Sequence, residues 1–397
     1  MNGGKFRIPF AMTLAGVLCP GEREVWADAE PEPLLANLHV FQREEEIATS
    51  ALPPAGDPER VAIPLDDDDP TLEMAVFSRR GPSAAETPPP REPRRPGSLG
   101  RKGSPLYGYQ ADAFLHAGYR QDQLDWNIAA PDGSPNVLSE LEWKDLHIAQ
   151  LKGDFSLVSP AGWQLQGRGG YGWILEGENQ DSDYLGDGRT LEFSRSNNQS
   201  DRGHVFDASL GFGYRLGLGG ESGKPWVGLT PLAGYSYHEQ SLRMHDFRQT
   251  VSEFGFPVPV GTTSDDLNSR YETQWRGPWL GLGLQASVWE RIDLFGEVAH
   301  HWADYHAQAD WNLRDDFEHP KSFVHDADGI GVTAQAGVRY RTATGWAVQV
   351  VADYQRWQTE PGKSKFYLSS GGTPSEPLNE VNWESFGVGL GVGYSFW

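Results

Sequence analysis

Long apolar runs are missing from this chain. Nowhere in its 397 residues do about 18 consecutive apolar residues occur, so it offers no helix able to span a bilayer. Positive charge is scarce too: 33 lysines and arginines face 55 aspartates and glutamates, a formal charge of −22. That sign argues against a nucleic-acid binder, which needs a basic surface. The single cysteine, Cys19, lies in the N-terminal segment; once that segment is removed, no disulfide, thiolate metal site or thiol nucleophile remains. What is abundant is the pairing of 47 glycines with 47 aromatics (15 Trp, 14 Tyr, 18 Phe) in a hydrophilic chain. A transmembrane β-barrel has that composition, because only alternate residues of each strand face lipid.

The N-terminus reads as a secretory signal over residues 1–29. Lys5 and Arg7 precede the apolar stretch Ile8 to Leu18, and Ala27-Asp28-Ala29 offers a small-x-small cleavage site. Residues 30–105 hold half of the 28 prolines, the run Asp66-Asp67-Asp68-Asp69, and no tryptophan between Trp26 and Trp126. Without sustained periodicity this segment is expected to be a disordered periplasmic tail or linker, with at most a short helix over 34–47 and room for a periplasmic partner.

From residue 106 the pattern changes to period two. Phe386, Val388, Leu390, Val392, Tyr394 and Phe396 alternate with Gly387, Gly389, Gly391, Gly393 and Ser395. Ten such stretches predict strands near 111–127, 138–157, 162–176, 204–217, 224–239, 267–288, 291–305, 329–341, 345–357 and 382–397. Five longer connections (128–137, 177–203, 240–266, 306–328, 358–381) alternate with short ones, for example Ser159 to Ala161 and Thr342 to Thr344. An even-stranded antiparallel barrel with short periplasmic turns and long extracellular loops has this signature, and lipid demands that it close. The fold expected is therefore an all-β, ten-stranded transmembrane barrel over 106–397 in a bacterial outer membrane, a monomer in contact with outer-membrane lipid and lipopolysaccharide. Tyr119, Phe155, Trp163, Trp173, Tyr235, Trp302, Trp346 and Tyr354 are placed for interfacial girdles. The opposite face carries Lys152, Asp154, Arg168, Asp207, Arg215, Asp293, Glu297, Arg339 and Asp353, which are expected to pair across a narrow lumen.

Chemistry could sit in two acidic loops. Asp181 and Asp183 are two residues apart on an extended segment and so share a face. Such carboxylates can share a proton, activate water, or hold Ca²⁺. The blander reading is a solvated loop. The fourth long connection supplies His306, Asp310, Asp315, Asp316, His319 and His325, where a histidine beside a carboxylate could act as a general base. His300 and His301 are adjacent on a strand and point opposite ways, which argues against a metal pair. No Walker loop, nucleophile elbow or zincin motif is present, and no metal or cofactor is expected.

Two family resemblances rest on particular residues. The run Leu138-Ser-Glu-Leu-Glu-Trp143 and the pair Asp181-x-Asp183-Tyr184 resemble the omptins, outer-membrane proteases with two acidic dyads at the barrel mouth. A fuller resemblance, over nearly all of 105–397, is to the Protochlamydia-outer-membrane-protein type of barrel. It is carried by Asp181-Ser-Asp-Tyr-Leu-Gly186, Phe193-Ser-Arg-Ser-Asn-Asn198, Leu229 to Gln240, Gly277-Pro-Trp-Leu-Gly-Leu282, Trp311-Asn-Leu-Arg-Asp-Asp316 and Leu378-Asn-Glu-Val-Asn-Trp383. This second resemblance implies an omptin-shaped barrel regarded as porin-like. Omptins place a histidine two residues after the strand-seven aspartate; here Asp310 takes the Asp place and Asn312 the His place. Asparagine accepts no proton near neutral pH. The expected role is a porin-like or surface structural barrel. The alternatives are a surface endopeptidase using Asp181, Asp183 and Asp310 with His306 or His319 as displaced histidine, or a binding module with acidic loops.

Overall fold

A computed structural model describes residues 108–219 and 226–396. The expected signal segment, the 30–105 tail with its 34–47 helix, Cys19 and Trp397 all lie outside the described residues. In chain order the strands are β1 Gln110–Ile128, β2 Ser139–Val158, β3 Trp163–Gly186, β4 Thr190–Gln199 and β5 Gly203–Tyr214. They continue as β6 Leu216–Gly219, β7 Trp226–Ser252, β8 Thr263–Ser264, β9 Ser269–Trp289 and β10 Ile292–Asp310. The last four are β11 Phe323–Arg341, β12 Trp346–Thr359, β13 Gly362–Phe366 and β14 Ser375–Phe396.

All pairings are antiparallel, and the ring closes where β1 pairs β14, with Ala111 opposite Phe396 and Asp125 opposite Asn382. Interrupted strands combine into single staves, β4 with β5 and β6, and β12 with β13, and the two-residue β8 pairs β7 off the ring, which gives a ten-staved barrel among the described residues. Closure removes the unpaired edge that neither lipid nor water-free packing tolerates. At one end the turns are tight. Ser159 to Gly162 and Thr342 to Gly345 share one design: the fourth residue is a glycine at φ +94° or +92°, and its amide donates to the carbonyl of the first. Only glycine takes that left-handed conformation cheaply.

The outer surface near the short-turn end and middle of the strands is an apolar belt. Leu115, Leu210, Leu280, Val298, Val350 and Leu390 are exposed in it, and all eight aromatics expected in girdles point outward. The inner face at this level is polar and paired. Arg168 forks onto Glu297 through two bonds of 2.8 Å, Arg341 meets Asp293 at 2.7 Å, His116 meets Asp154 at 3.2 Å, and Lys152 meets Asp353. Arg120 binds Asp122 through two bonds of 2.6 Å and Asp207 through a third, while Asp207 also holds His238 at 2.7 Å. Two cavities of about 130 and 100 Å³ lie among these side chains in the lumen.

Toward the long-loop end the faces exchange roles. In β1 the inward residues become Leu124, Trp126 and Ile128 while Gln123 and Asp125 face out. In β9 Tyr271 and Trp275 point in and Glu272 and Arg276 out; in β14 Val381 and Trp383 point in and Glu380 and Glu384 out. The result is an aromatic core inside the barrel. Trp126, Trp143, Trp275, Trp357, Trp383, Tyr271 and Tyr305 are all but completely buried. Trp143 stacks on Tyr271 with centroids 5.2 Å apart, Trp357 on Trp383 at 5.7 Å, and Trp275 meets Tyr305 at 4.4 Å.

This exchange corrects the expectation of long loops. Three of the five long connections are mostly strand: β3 runs on to Gly186 and returns as β4, β7 reaches Ser252, and β13 and β14 occupy much of 358–381; in a fourth, β10 reaches Asp310 and β11 starts at Phe323, which leaves 311–322 as irregular chain. Beyond the lipid the outward residues turn polar and charged, so a search for outward-apolar alternation stops too early. The lumen filling is also more than ion pairs, since the aromatic core lies beyond them.

Small residues make room for that core. A Cβ on Gly331 would lie 2.3 Å from the Trp357 ring, whereas one on Gly283 would meet nothing nearer than 3.5 Å. Gly331→Val is therefore expected to destabilise the folded barrel by about 1–3 kcal/mol or more, and Gly283→Ala to be nearly neutral. The temperature at which the compact, heat-modifiable gel band is lost measures both; equal temperatures for the two variants would contradict the packing described.

Candidate functional site

Asp181 and Asp183 sit on the inward face of β3 at the long-loop end, in phase with Asn179. The register sets Asp183 between Ser139 of β2 and Ser194 of β4, and Asp181 between Leu141 and Ser196. Both carboxyls are buried, at 9% and 5% exposure, rather than displayed in an open loop. The β10–β11 connection closes over them. Its Trp311 and Arg314 line two small cavities of about 20 and 30 Å³ into which Asp181 faces, and Asp183 and Phe317 line the first.

Arg314 is the one cation of this group. It is 4% exposed, forks onto Asp316 at 2.7 and 2.5 Å, and lies 4.3 Å above the Phe317 ring. Sequence reading passed over it; the signal available was its place as the one cation in the run Trp311-Asn-Leu-Arg-Asp-Asp316. Burial dominates the electrostatics. Desolvation pushes Asp183 up to about 6, although the neighbouring Ser139 and Ser194 hydroxyls and the Arg314 charge pull the other way. Asp181 is raised well above the usual carboxylate range by burial and then by Asp183, with Arg314 opposing. The pair can therefore hold a proton near neutral pH, as close buried carboxylates do.

The other candidates form pairs of their own elsewhere. Tyr305, Ala307 and Ala309 of β10 point inward, so His306 and Asp310, in the opposite phase, point outward. Asp310 takes a hydrogen bond with His319 Nδ1 at 2.8 Å, and His306 Nδ1 lies 2.7 Å from Asp326. The acid pair and the two Asp–His pairs thus occupy opposite faces of the barrel wall, and the structure does not bring them together. Asn312 is a stitch: its Oδ1 accepts from the Asn268 amide at 2.8 Å and its Nδ2 donates to the Asp266 carbonyl at 2.8 Å. His300 and His301 point to opposite sides, His301 inward between Ser236 and Thr333 and His300 against Trp302. No group of three or more metal-ligating side chains occurs among the described residues.

One histidine in the aromatic core belongs with these groups. His325 is fully buried edge-on to Trp126, with Nδ1 2.8 Å from the Tyr271 hydroxyl, which lies 2.7 Å from that of Tyr305. Burial, then the neighbouring His306, pushes it down to about 3.

The pH dependence of the acid pair has a definite sign. Folded pKa values raised above about 3.9 mean that the pair favours folding when protonated; that contribution is complete below about 4 and is lost as pH rises through about 6 for Asp183. Asp183→Asn is expected to stabilise the barrel by roughly 1–3 kcal/mol at pH 7.5 and to give no gain at pH 4. Urea titrations of the folded fraction at the two pH values check it, and a gain confined to pH 4 would reverse the assignment.

Comparison with known proteins bears on this arrangement. No curated protein matches the sequence. Among solved structures the chain is similar to the outer membrane protease OmpT of Escherichia coli, with 16% identity and a TM-score of 0.58 over 72% of this chain and 97% of that one. At that identity the likeness shows the barrel fold. Similarity is lower to the translocator domain of the autotransporter NalP from Neisseria meningitidis, with 10% identity and a TM-score of 0.29 over 72% of this chain and 88% of that one. It is lower again to a FadL homologue from Pseudomonas aeruginosa, with 9% identity and a TM-score of 0.21 over 73% and 91%. The Protochlamydia outer membrane protein family matches residues 114–396, the whole barrel from the first strand to the last, and the chain belongs to that family of outer-membrane β-barrels.

Proposed function

We propose that the protein is a closed surface barrel with a structural or binding role, its lumen shut to diffusion. The observation that carries this reading is the aromatic core across the long-loop half of the lumen, where Trp126, Trp143, Trp275, Trp357 and Trp383 are at most 2% exposed. Below it the ion pairs of Arg120 with Asp207, Arg168 with Glu297 and Lys152 with Asp353 cross the remaining space. A porin-like role needs a continuous watery path; buried aromatic packing of this density, with each ring pair contributing about 0.5–1.5 kcal/mol beyond area, works against one. In this reading the short turns face the periplasm, the long hairpins face outward, and the barrel is a monomer in contact with outer-membrane lipid and lipopolysaccharide.

The endopeptidase reading finds less support. It requires a histidine and an acid pair to meet across one groove, whereas Asp181 and Asp183 point into the barrel, and the His306–Asp326 and His319–Asp310 pairs lie on its outer face. The group facing the acids is Arg314, which cannot serve as a base.

Planar-bilayer recordings and peptide cleavage test the proposal together. The folded protein is expected to show neither regular conductance steps nor cleavage of peptides with basic sites. Ohmic steps in the unmodified protein would restore the pore, and cleavage lost in Asp183→Asn would restore the protease.

A further inference from the structure

Three polar side chains lie together within the aromatic core, where folding alone would be served by phenylalanine and leucine. Tyr271, Tyr305 and His325 are at most 2% exposed, and their polar atoms meet one another. The Tyr305 hydroxyl lies 2.7 Å from that of Tyr271, which lies 2.8 Å from His325 Nδ1. Counting donors orders the chain. If Nδ1 accepts from Tyr271 and Tyr271 accepts from Tyr305, both hydroxyl protons are bonded and only Nε2–H of His325 lacks a partner among the described residues. The reverse order leaves the Tyr305 proton and the Nε2 lone pair both unmet. The first order makes Tyr271 the donor to an imidazole that burial keeps neutral.

Readily oxidised rings surround this chain. Trp143 stacks on Tyr271 at 5.2 Å, Trp275 meets Tyr305 at 4.4 Å, and Trp126 stands edge-on to His325 at 4.7 Å. Trp275 continues to Trp357 at 5.7 Å. Toward water the half-buried Trp311 meets Phe323 at 4.7 Å, and Phe323 meets His325 at 5.1 Å. Indole and phenol give up an electron more easily than other ring side chains, so an electron vacancy moves among rings this close. It comes to rest where a proton can leave, because an oxidised indole or phenol is a strong acid. The Nε1 protons of Trp126, Trp143 and Trp275 have no acceptor among the described residues. Trp357 faces the Gln355 amide oxygen, which takes no proton near neutral pH, and Trp383 faces Asp122, already forked onto Arg120. Among these rings, Tyr271 is the one that faces an open base.

We propose that this core is a radical sink in which Tyr271 is the site of oxidation and His325 the proton acceptor. An oxygen-centred radical arriving from water takes one electron by way of Trp311 and is reduced to its anion. Tyr271 supplies that electron; its O–H bond breaks, and the proton moves to Nδ1 of His325. The products are a neutral phenoxyl radical, held by the Tyr305 hydrogen bond, and an imidazolium. An electron from a thiolate reductant, returning through the same rings, restores both groups as the proton goes back. Burial suits the task. It lifts both tyrosine hydroxyls well above the usual phenol range, so neither ionises without being oxidised. The inference goes beyond the surface-barrel reading and stands apart from it, since it uses only the packing of the core.

The experiment uses the full chain folded in nanodiscs, with Cys19→Ser and Glu318→Cys so that a ruthenium polypyridyl photo-oxidant is tethered on the connection that carries Trp311. Flash oxidation is expected to give a tryptophanyl absorption that decays into a long-lived tyrosyl one, more slowly in heavy water. Tyr271→Phe keeps the ring and its stacking; it is expected to abolish the tyrosyl signal and leave the tryptophanyl one. His325→Gln keeps an acceptor for the hydrogen bond but removes the base, and tyrosyl formation is expected to slow at least about tenfold. Tyr354→Phe, in the outer girdle, is expected to change nothing. The heat-modifiable gel band checks that each variant folds. Equal tyrosyl yield in Tyr271→Phe would overturn the assignment of the site, and an electron vacancy that stays on tryptophan in the unsubstituted core would overturn the sink. An unchanged rate in His325→Gln would overturn the role of the base. The heavy-water comparison needs no core substitution, so an equal rate there overturns the proton transfer whether or not a variant folds.

Discussion

Each strand of this barrel must change the face it buries as it leaves the lipid. Within the bilayer the outward side chains are apolar because the solvent is hydrocarbon, and the inward ones are polar and paired. Beyond it the solvent outside is water, so the strand can continue only by turning its apolar residues inward. β1 makes that exchange with its pairing to β14 unbroken, while its pairing to β2 shifts between Asp122 and Leu124: Tyr119 points out to lipid, and Trp126, seven residues on, points in to the core. Alternation of period two permits this, since both faces are available at every step and only the choice of side chain differs.

Filling follows from the exchange. A ten-staved barrel encloses a column of limited width, and two chemically different fillings meet inside it. The ion-paired layer around Arg120, Asp122 and Asp207 lies directly below the aromatic one, and Trp383 touches both: its indole donates to Asp122 at 3.0 Å while its ring lies under the Arg120 guanidinium. Each layer keeps water from the other. The pairs gain from the low dielectric above them, and the rings gain a fixed polar floor.

The same constraint explains what the sequence made legible. The lipid-crossing parts were readable because outward-apolar alternation is strong there, and every aromatic assigned to a girdle points outward. The strand extensions were not, because their apolar residues lie in the lumen phase. Trp383 is in step with Ser385 and Gly387, and Trp357 with Gln355 and Asp353; following the phase rather than the polarity would have carried both strands to their ends. At the candidate site, the shared face of Asp181 and Asp183 was readable from their spacing, and their burial was not. Burial depends on Trp311, Arg314 and Phe317, which reach them from a connection more than a hundred residues away. Asn312 in the place of a histidine was readable as a departure, but its bonds to Asn268 and Asp266 belong to tertiary structure alone.

A fold with so large an internal core can carry local costs at its rim, and the rim is where they are found. Asp181 and Asp183 are kept in a desolvated place that favours their protonated forms, and Arg314 offsets only part of that penalty. Leu191 and Phe254 hold left-handed backbones and expose apolar surface. None of these features improves folding, and a single-residue change could remove each. The acid pair and Leu191 share the β3–β4 hairpin, on its inner face and at its turn, while Phe254 lies on the neighbouring hairpin that follows β7. The acid pair faces inward beneath the β10–β11 connection, whereas the apolar tip faces water above β3, β4 and β7. An inert plug in the membrane would need neither. Both sets of local costs therefore sit at the long-hairpin end, beyond the lipid-facing belt, where the strands have already turned their apolar residues inward.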